Sequence, residues 1–188
     1  MPNSALLTDA YTSPRGFTAM SICRSLLLLT LVAWCTASHA ELVIRIQSPA
    51  ATIRIPDLEA FKLGVHPDHA KQPGAKLFGR NHGVTVSVLT PTAQANTTAA
   101  QCASWLAGQV LSRFAPPLDT VQFVRLGESA YVLVFPLKLG GVDQLRAYIV
   151  SGNGKSHCIE VQASRVDFTE QQRKDWLAGF KGVRVEVQ

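Results

Sequence analysis

His66, Asp68, His69 and His82 place three imidazoles and a carboxylate on two nearby stretches, the donor types of a divalent-metal site with an open position. Their spacing argues against one. His66 and His69 stand three apart in a proline-containing loop rather than on a helix face, and no element ties His82 to them, so they read as loop histidines without a metal. Gly152-Asn153-Gly154-Lys155-Ser156 ends like a phosphate-binding loop, but Ile149 occupies the position of its first glycine, and strand-like residues follow instead of a helix. That segment reads as a hairpin turn. A Gly-x-Ser-x-Gly nucleophile elbow does not occur in the sequence. Glu160 alternates with Cys158 in a strand-like run, and a lone acidic residue there is expected to face water. The sequence therefore predicts no catalytic, cofactor-binding or metal-binding residues, and a protein that is not an enzyme.

The elements that would position these residues follow from periodicity. Leu42–Ile46 and Thr52–Ile55 alternate with period two around Ser48-Pro49 and read as strands; Phe61–Val65 reads as a third, short one. His66–Gly74 is a loop. Lys76–Phe78 and Val84–Leu89 form a hairpin around Gly79-Arg80-Asn81-His82-Gly83. Thr98-Ala99-Ala100-Gln101 matches a capping box, and Cys102, Leu106, Val110 and Phe114 then make one apolar helical stripe that Pro116-Pro117 terminates. Four strands follow in hairpin order: Val121–Leu126, Tyr131–Leu137, Gln144–Val150 and His157–Ala163. A second helix begins near Thr169, again with a glutamine three residues on, and presents Trp176, Leu177 and Phe180. Gly182 suits its left-handed C-terminal position, and Val183–Val187 can add a last strand. Hairpin links imply a mainly antiparallel sheet with two principal helices packed on it, an α+β domain.

The chain has 188 residues, 18 Lys and Arg against 13 Asp and Glu, and 47% hydrophobic residues. That length favours one domain over several. Its N-terminal part is processing sequence. Arg24, an apolar run of about ten residues from Leu26 and the small residues Ser38 and Ala40 form a signal peptide over residues 20–40, cleaved after Ala40. The run falls short of the ~20 residues that span a bilayer, so no transmembrane anchor remains in the mature chain. Residues 1–19 fit either a start placed upstream of Met20 or an extended n-region. Residues 41–188 then form the single domain, in the periplasm or secreted. Cys102 and Cys158 are the cysteines left after cleavage, and in an oxidising compartment they are expected to pair. The basic residues are scattered singly apart from Arg173-Lys174, which does not favour nucleic acid.

The order of elements, the Phe61 region leading to Leu77-Phe78-Gly79 and Val84–Leu89, and the closing Trp176-Leu177-Ala178-Gly179-Phe180 resemble the PsbP-like α/β/α sandwich. Exported bacterial proteins of DcrB type are similar to that fold. The resemblance spans roughly Ile53 to Val185 and rests on element order. It implies an accessory, assembly or chaperone-like binding role and carries over no functional residue. The chain departs from DcrB-type proteins at Cys35, which follows the bulky Trp34 rather than a small lipobox residue.

The functional expectation is an exported accessory or binding protein, non-enzymatic, whose partner is another envelope protein or a small ligand. The alternatives are an immunity or inhibitor protein against an envelope-acting toxin or hydrolase, and an enzyme whose site the sequence hides. The expected contact surface is the loop carrying His66 and His69 with the turn carrying Arg80 and His82, since polar loops outside the core are where binding residues concentrate.

Overall fold

The computed structural model describes residues 40–56, 58 and 62–188. The expected signal peptide up to His39, the segment 1–19 and Phe61 lie outside the described residues. Ten strands and two α-helices follow in chain order: β1 Glu41–Gln47, β2 Ala50–Pro56, β3 Gly64–Val65, β4 Ala75–Asn81, β5 Val84–Leu89, α1 Ala99–Phe114, β6 Gln122–Leu126, β7 Ala130–Leu139, β8 Val142–Gly152, β9 Cys158–Val166, α2 Glu170–Lys181 and β10 Arg184–Val187. All strand pairings are antiparallel, and the domain is α+β.

The strands divide into two sheets. The larger runs β3-β4-β5-β9-β8-β7-β6, and the smaller runs β1-β2-β10. The last strand therefore leaves the main sheet and closes onto β2, with Val185 opposite Ile53. α1 carries the chain from β5 past β9, β8 and β7 to the edge strand β6.

Strand parity sorts the side chains onto two faces of the large sheet. One face is apolar between Ser151 of β8 and Arg165 of β9: Val84, Val86 and Val88 of β5, Ile159, Val161 and Ala163 of β9, Leu145, Ala147 and Ile149 of β8, and Val132 and Val134 of β7. They pack against Leu42, Ile44, Ile53 and Ile55 of the small sheet and Trp176 and Phe180 of α2. The other face receives α1, whose Cys102, Ala103, Leu106 and Val110 meet Leu133, Phe135, Tyr148 and Val150. β7 is buried on both faces, which is why its sequence reads as a continuous apolar run.

Both helices begin as their capping boxes require. Gln101 N donates to Thr98 Oγ1 at 3.3 Å while Thr98 N donates to Gln101 Oε1 at 2.8 Å. Thr169 and Gln172 repeat the arrangement at 3.2 and 2.9 Å. α1 ends at Ala115 in the left-handed region, with φ 43°, directly before Pro116-Pro117. Cys102 and Cys158 are disulfide-bonded, with their Cα atoms 5.7 Å apart, and the bond ties the first turn of α1 to the start of β9.

Three local expectations need correction. Gly79 and Arg80 are strand residues, because the β4–β5 connection is only His82-Gly83. These two take positive φ values of 43° and 76°, as a tight two-residue hairpin demands. Gly182 is not left-handed, its φ being −89°; a Cβ there would lie 2.9 Å from Pro56 Cγ, so close packing on β2 asks for the glycine. Gly152 belongs to β8 rather than to a turn, and a Cβ on it would lie 2.6 Å from both Thr97 O and the Thr98 carbonyl carbon. The turn itself is shaped by Asn153 Oδ1, which accepts from Lys155 N at 2.9 Å and His157 N at 3.1 Å. Among the described residues no helix is long and apolar enough to cross a membrane.

Candidate functional site

α1 lies over β7 and β8 and reaches β9 at Cys158, but it leaves open the part of the same face around Arg80, Thr85, Ser87, Gln162 and Ser164. The exposed part is polar, and the register gives its layout. In one row Arg80 of β4 lies beside Thr85 of β5, then Ser164 of β9, then Arg146 of β8. In the next row Phe78, Ser87, Gln162 and Tyr148 stand side by side, and beyond them Leu89, Glu160 and Val150. Gln144 extends β8 at the open end, opposite Val166. Between α1 and the β4–β5 hairpin this surface forms an open trough of about 580 Å³, with Arg80, Thr85, Ser87, Gln144, Arg146, Gln162 and Ser164 contributing its polar lining.

Each cation in the trough is held in place. The Arg146 guanidinium donates to Gln144 Oε1 through Nε at 3.3 Å and Nη2 at 3.0 Å. Its central carbon lies 5.1 Å from the centre of the Phe114 ring, at the C-terminal end of α1. Arg113 stacks on the same ring at 5.2 Å. Phe114 in turn packs on Phe135, and Phe135 stacks on Tyr148. Arg80 Nε donates to Thr85 Oγ1 at 3.4 Å. A rigid sheet and an aromatic stack thus fix a polar surface that a loop would leave mobile.

Glu160 departs from expectation. It is 5% exposed rather than solvated, because its strand parity turns it toward the α1 side, between Leu89 and Val150. One carboxylate oxygen accepts from Gln162 Nε2 at 2.6 Å. Burial pushes its carboxyl above the ordinary carboxylate value, and the Gln162 bond only partly offsets this. Tyr148 on the adjoining strand is likewise raised by burial, with Arg146 acting in the opposite direction.

The other residues of the expected contact surface are scattered. His66 sits in the loop beyond β3, its ring edge-on to Phe78 at 5.7 Å, and its Nδ1 accepts from Asp68 N at 3.1 Å. His69 Nδ1 donates to Ala75 O at 2.7 Å, which fastens the loop to β4. His82 occupies the turn at the far end of that strand. It stands six positions beyond Lys76, whose carbonyl accepts from His66 N, a span of ~20 Å. His66 and His69 therefore share one end of β4 and His82 the other. Among the described residues no three His, Cys, Asp or Glu side chains are grouped to hold a metal ion.

Thr85, Ser87, Gln144, Arg146, Gln162 and Ser164 were not singled out by sequence reasoning. A signal was present: β5 alternates valine with Thr85 and Ser87, and β9 alternates Val161 and Ala163 with Gln162 and Ser164, uncharged polar residues where a solvated face would carry charges. The disulfide pair, by contrast, was expected from cysteine arithmetic and is formed.

Two other hollows are less suited to a ligand. A wider one of about 1080 Å³ lies between Phe114–Pro117 and Phe168–Arg173, but both its cations are paired locally, Lys138 with Asp143 at 3.9 Å and Arg173 with Glu170 at 3.5 Å. A third, between β2 and α2, is bordered by residues next to positions 57 and 59–61, outside the described residues. No protein-family model matches the chain, and no curated protein matches it.

Proposed function

We propose that this chain is an exported accessory protein that works by binding, with the uncovered polar part of the large sheet as its binding face. The observation that carries the reading is the contrast between the two faces of β5 and β9. One packs Val84, Val86, Val88, Ile159, Val161 and Ala163 into the core, while the other carries hydroxyls and an amide, flanked by the positioned guanidiniums of Arg80 on β4 and Arg146 on β8, around an open trough. A surface needed only for solubility has no use for an arginine fixed by both a bidentate amide bond and a ring stack. The side chains act as hydrogen-bond donors and charge partners, a role that needs no bond breaking. The disulfide supports export. Helices on opposite faces of an antiparallel sheet support the PsbP-like resemblance and the accessory role it implies.

The test is native mass spectrometry of the protein after equilibration with a small-molecule extract of the host envelope. A retained, chemically unchanged adduct is expected, and it should be lost in Ser87→Trp, which fills the trough. An adduct that survives in Ser87→Trp, or one recovered as a converted product, would overturn the reading.

A further inference from the structure

We propose that the trough between Arg80 and Arg146 binds a small free molecule carrying two oxyanionic groups, of the dicarboxylate type. The inference rests on the binding-face reading above and names the class of its ligand.

Charge complementarity is the first argument. The polar lining consists of two guanidiniums, two amides and three hydroxyls, and no carboxylate is among the lining residues. Among the described residues, neither Arg80 nor Arg146 forms a salt bridge. Arg113, 5.2 Å from the centre of the same Phe114 ring, adds a third positive charge near Arg146.

Geometry sets the number of anionic groups. Arg80 and Arg146 stand at the two ends of one cross-strand row, three strand spacings or ~14 Å apart at the backbone. Arg80 leans inward onto Thr85, whereas Arg146 is held along its own strand by Gln144. With each guanidinium bonded next to its own strand, to Thr85 and to Gln144, a molecule with an oxyanion at each end is the one suited to meet both. The Thr85 and Ser164 hydroxyls between them offer hydrogen bonds to the middle of such a molecule. The trough volume of about 580 Å³ is that of a small-molecule site.

Arg146 is also preorganised. Two N–H groups are committed to Gln144 and one face to Phe114, so the guanidinium meets an oxyanion with little loss of rotamer freedom. Glu160 lies one row beyond Gln162 and is the nearest carboxyl along that strand. It is covered, bonded to Gln162, and absent from the lining.

The experiment is an amide-resolved NMR titration of the ¹⁵N-labelled protein with glutarate, acetate, inorganic phosphate and a neutral disaccharide in separate arms. Glutarate is expected to shift the amides of Arg80–Thr85, Gln144–Arg146 and Gln162–Ser164, and to bind about tenfold or more tightly than acetate. Arg80→Gln and Arg146→Gln should each weaken glutarate by about tenfold, whereas Arg45→Gln on β1 should leave it unchanged. Arg146→Lys, which retains charge but not the fork, should fall between wild type and Arg146→Gln and guards against a folding defect. Phosphate binding as tightly as glutarate would overturn the two-headed assignment. If the disaccharide shifted these amides and the oxyanions did not, the oxyanion inference would fall while the binding face stood. If neither the four probes nor the envelope extract moved these amides, both would fall.

Discussion

The Arg146 guanidinium is clamped between the Gln144 amide oxygen, 3.0 Å from Nη2, and the Phe114 ring, 5.1 Å away at the last turn of α1. This relationship joins the helix to the polar face: the residue that ends the apolar stripe of α1 also supports a cation facing the trough. Phe114→Leu keeps most of the apolar volume and removes the ring. Binding of glutarate should weaken by about tenfold at most, in line with a cation–π contact of ~1 kcal/mol, while the fold is retained. Isothermal titration calorimetry beside a thermal melt checks it, and unchanged affinity would remove Phe114 from the site.

The disulfide closes a long loop between α1 and β9. Replacing both Cys102 and Cys158 by Ser should cost about 2–5 kcal/mol in denaturant unfolding and leave the secondary structure unchanged by circular dichroism. Ready alkylation of both thiols in the folded, unreduced protein would contradict the bond.

Gly152 and Gly154 answer to different physics, although two residues apart. Ala at 152 drives a methyl into the Thr97–Ala99 backbone and should cost about 1–3 kcal/mol or more, since a helix terminus already anchored by a disulfide cannot retreat. Ala at 154 meets open space and has only a φ of 66° to oppose it, for about 1–2 kcal/mol. Chemical unfolding of the two variants should rank Gly152→Ala as the more damaging; the reverse order would mean that α1 shifts freely on the sheet.

Glu160 predicts a pH dependence of stability. Its carboxyl is raised above 4.5 in the fold, so the folded chain keeps a proton that the unfolded chain releases. That contribution is fully present below the unfolded value and is lost as pH rises through the folded one. Glu160→Gln keeps a polar partner for Gln162 without a charge to desolvate. Its stability relative to wild type should grow as pH rises from about 4.5 toward neutrality, then level off. Unfolding curves from pH 4 to 8 would show it, and a constant difference across that range would contradict the burial of an ionisable carboxyl.

Much of the framework is legible in the sequence because it is local. The capping boxes at Thr98 and Thr169, the stripe Cys102–Leu106–Val110 and the alternation of β5 are each set by neighbours within a few residues, and all three appear in the structure. The candidate site is not local. Arg80 and Arg146 share a row only because β5 pairs with β9 rather than with β6, its successor in the chain, and α1 makes that crossover. The burial of Glu160 has the same origin: parity tells which side it takes, but only the placement of neighbouring elements tells that the side is covered. Likewise, the separation of β1-β2-β10 into a second sheet rests on a contact between the two ends of the domain, Val185 with Ile53.

The account stands on the polar face of β4, β5, β9 and β8 being where a ligand sits, and a crystal structure of the protein soaked with glutarate addresses this most directly. The predicted result is density in the trough, with one carboxylate within hydrogen-bond distance of the Arg146 fork and the other within reach of Arg80. An empty trough at saturating glutarate, or density seated only between β2 and α2, would contradict it.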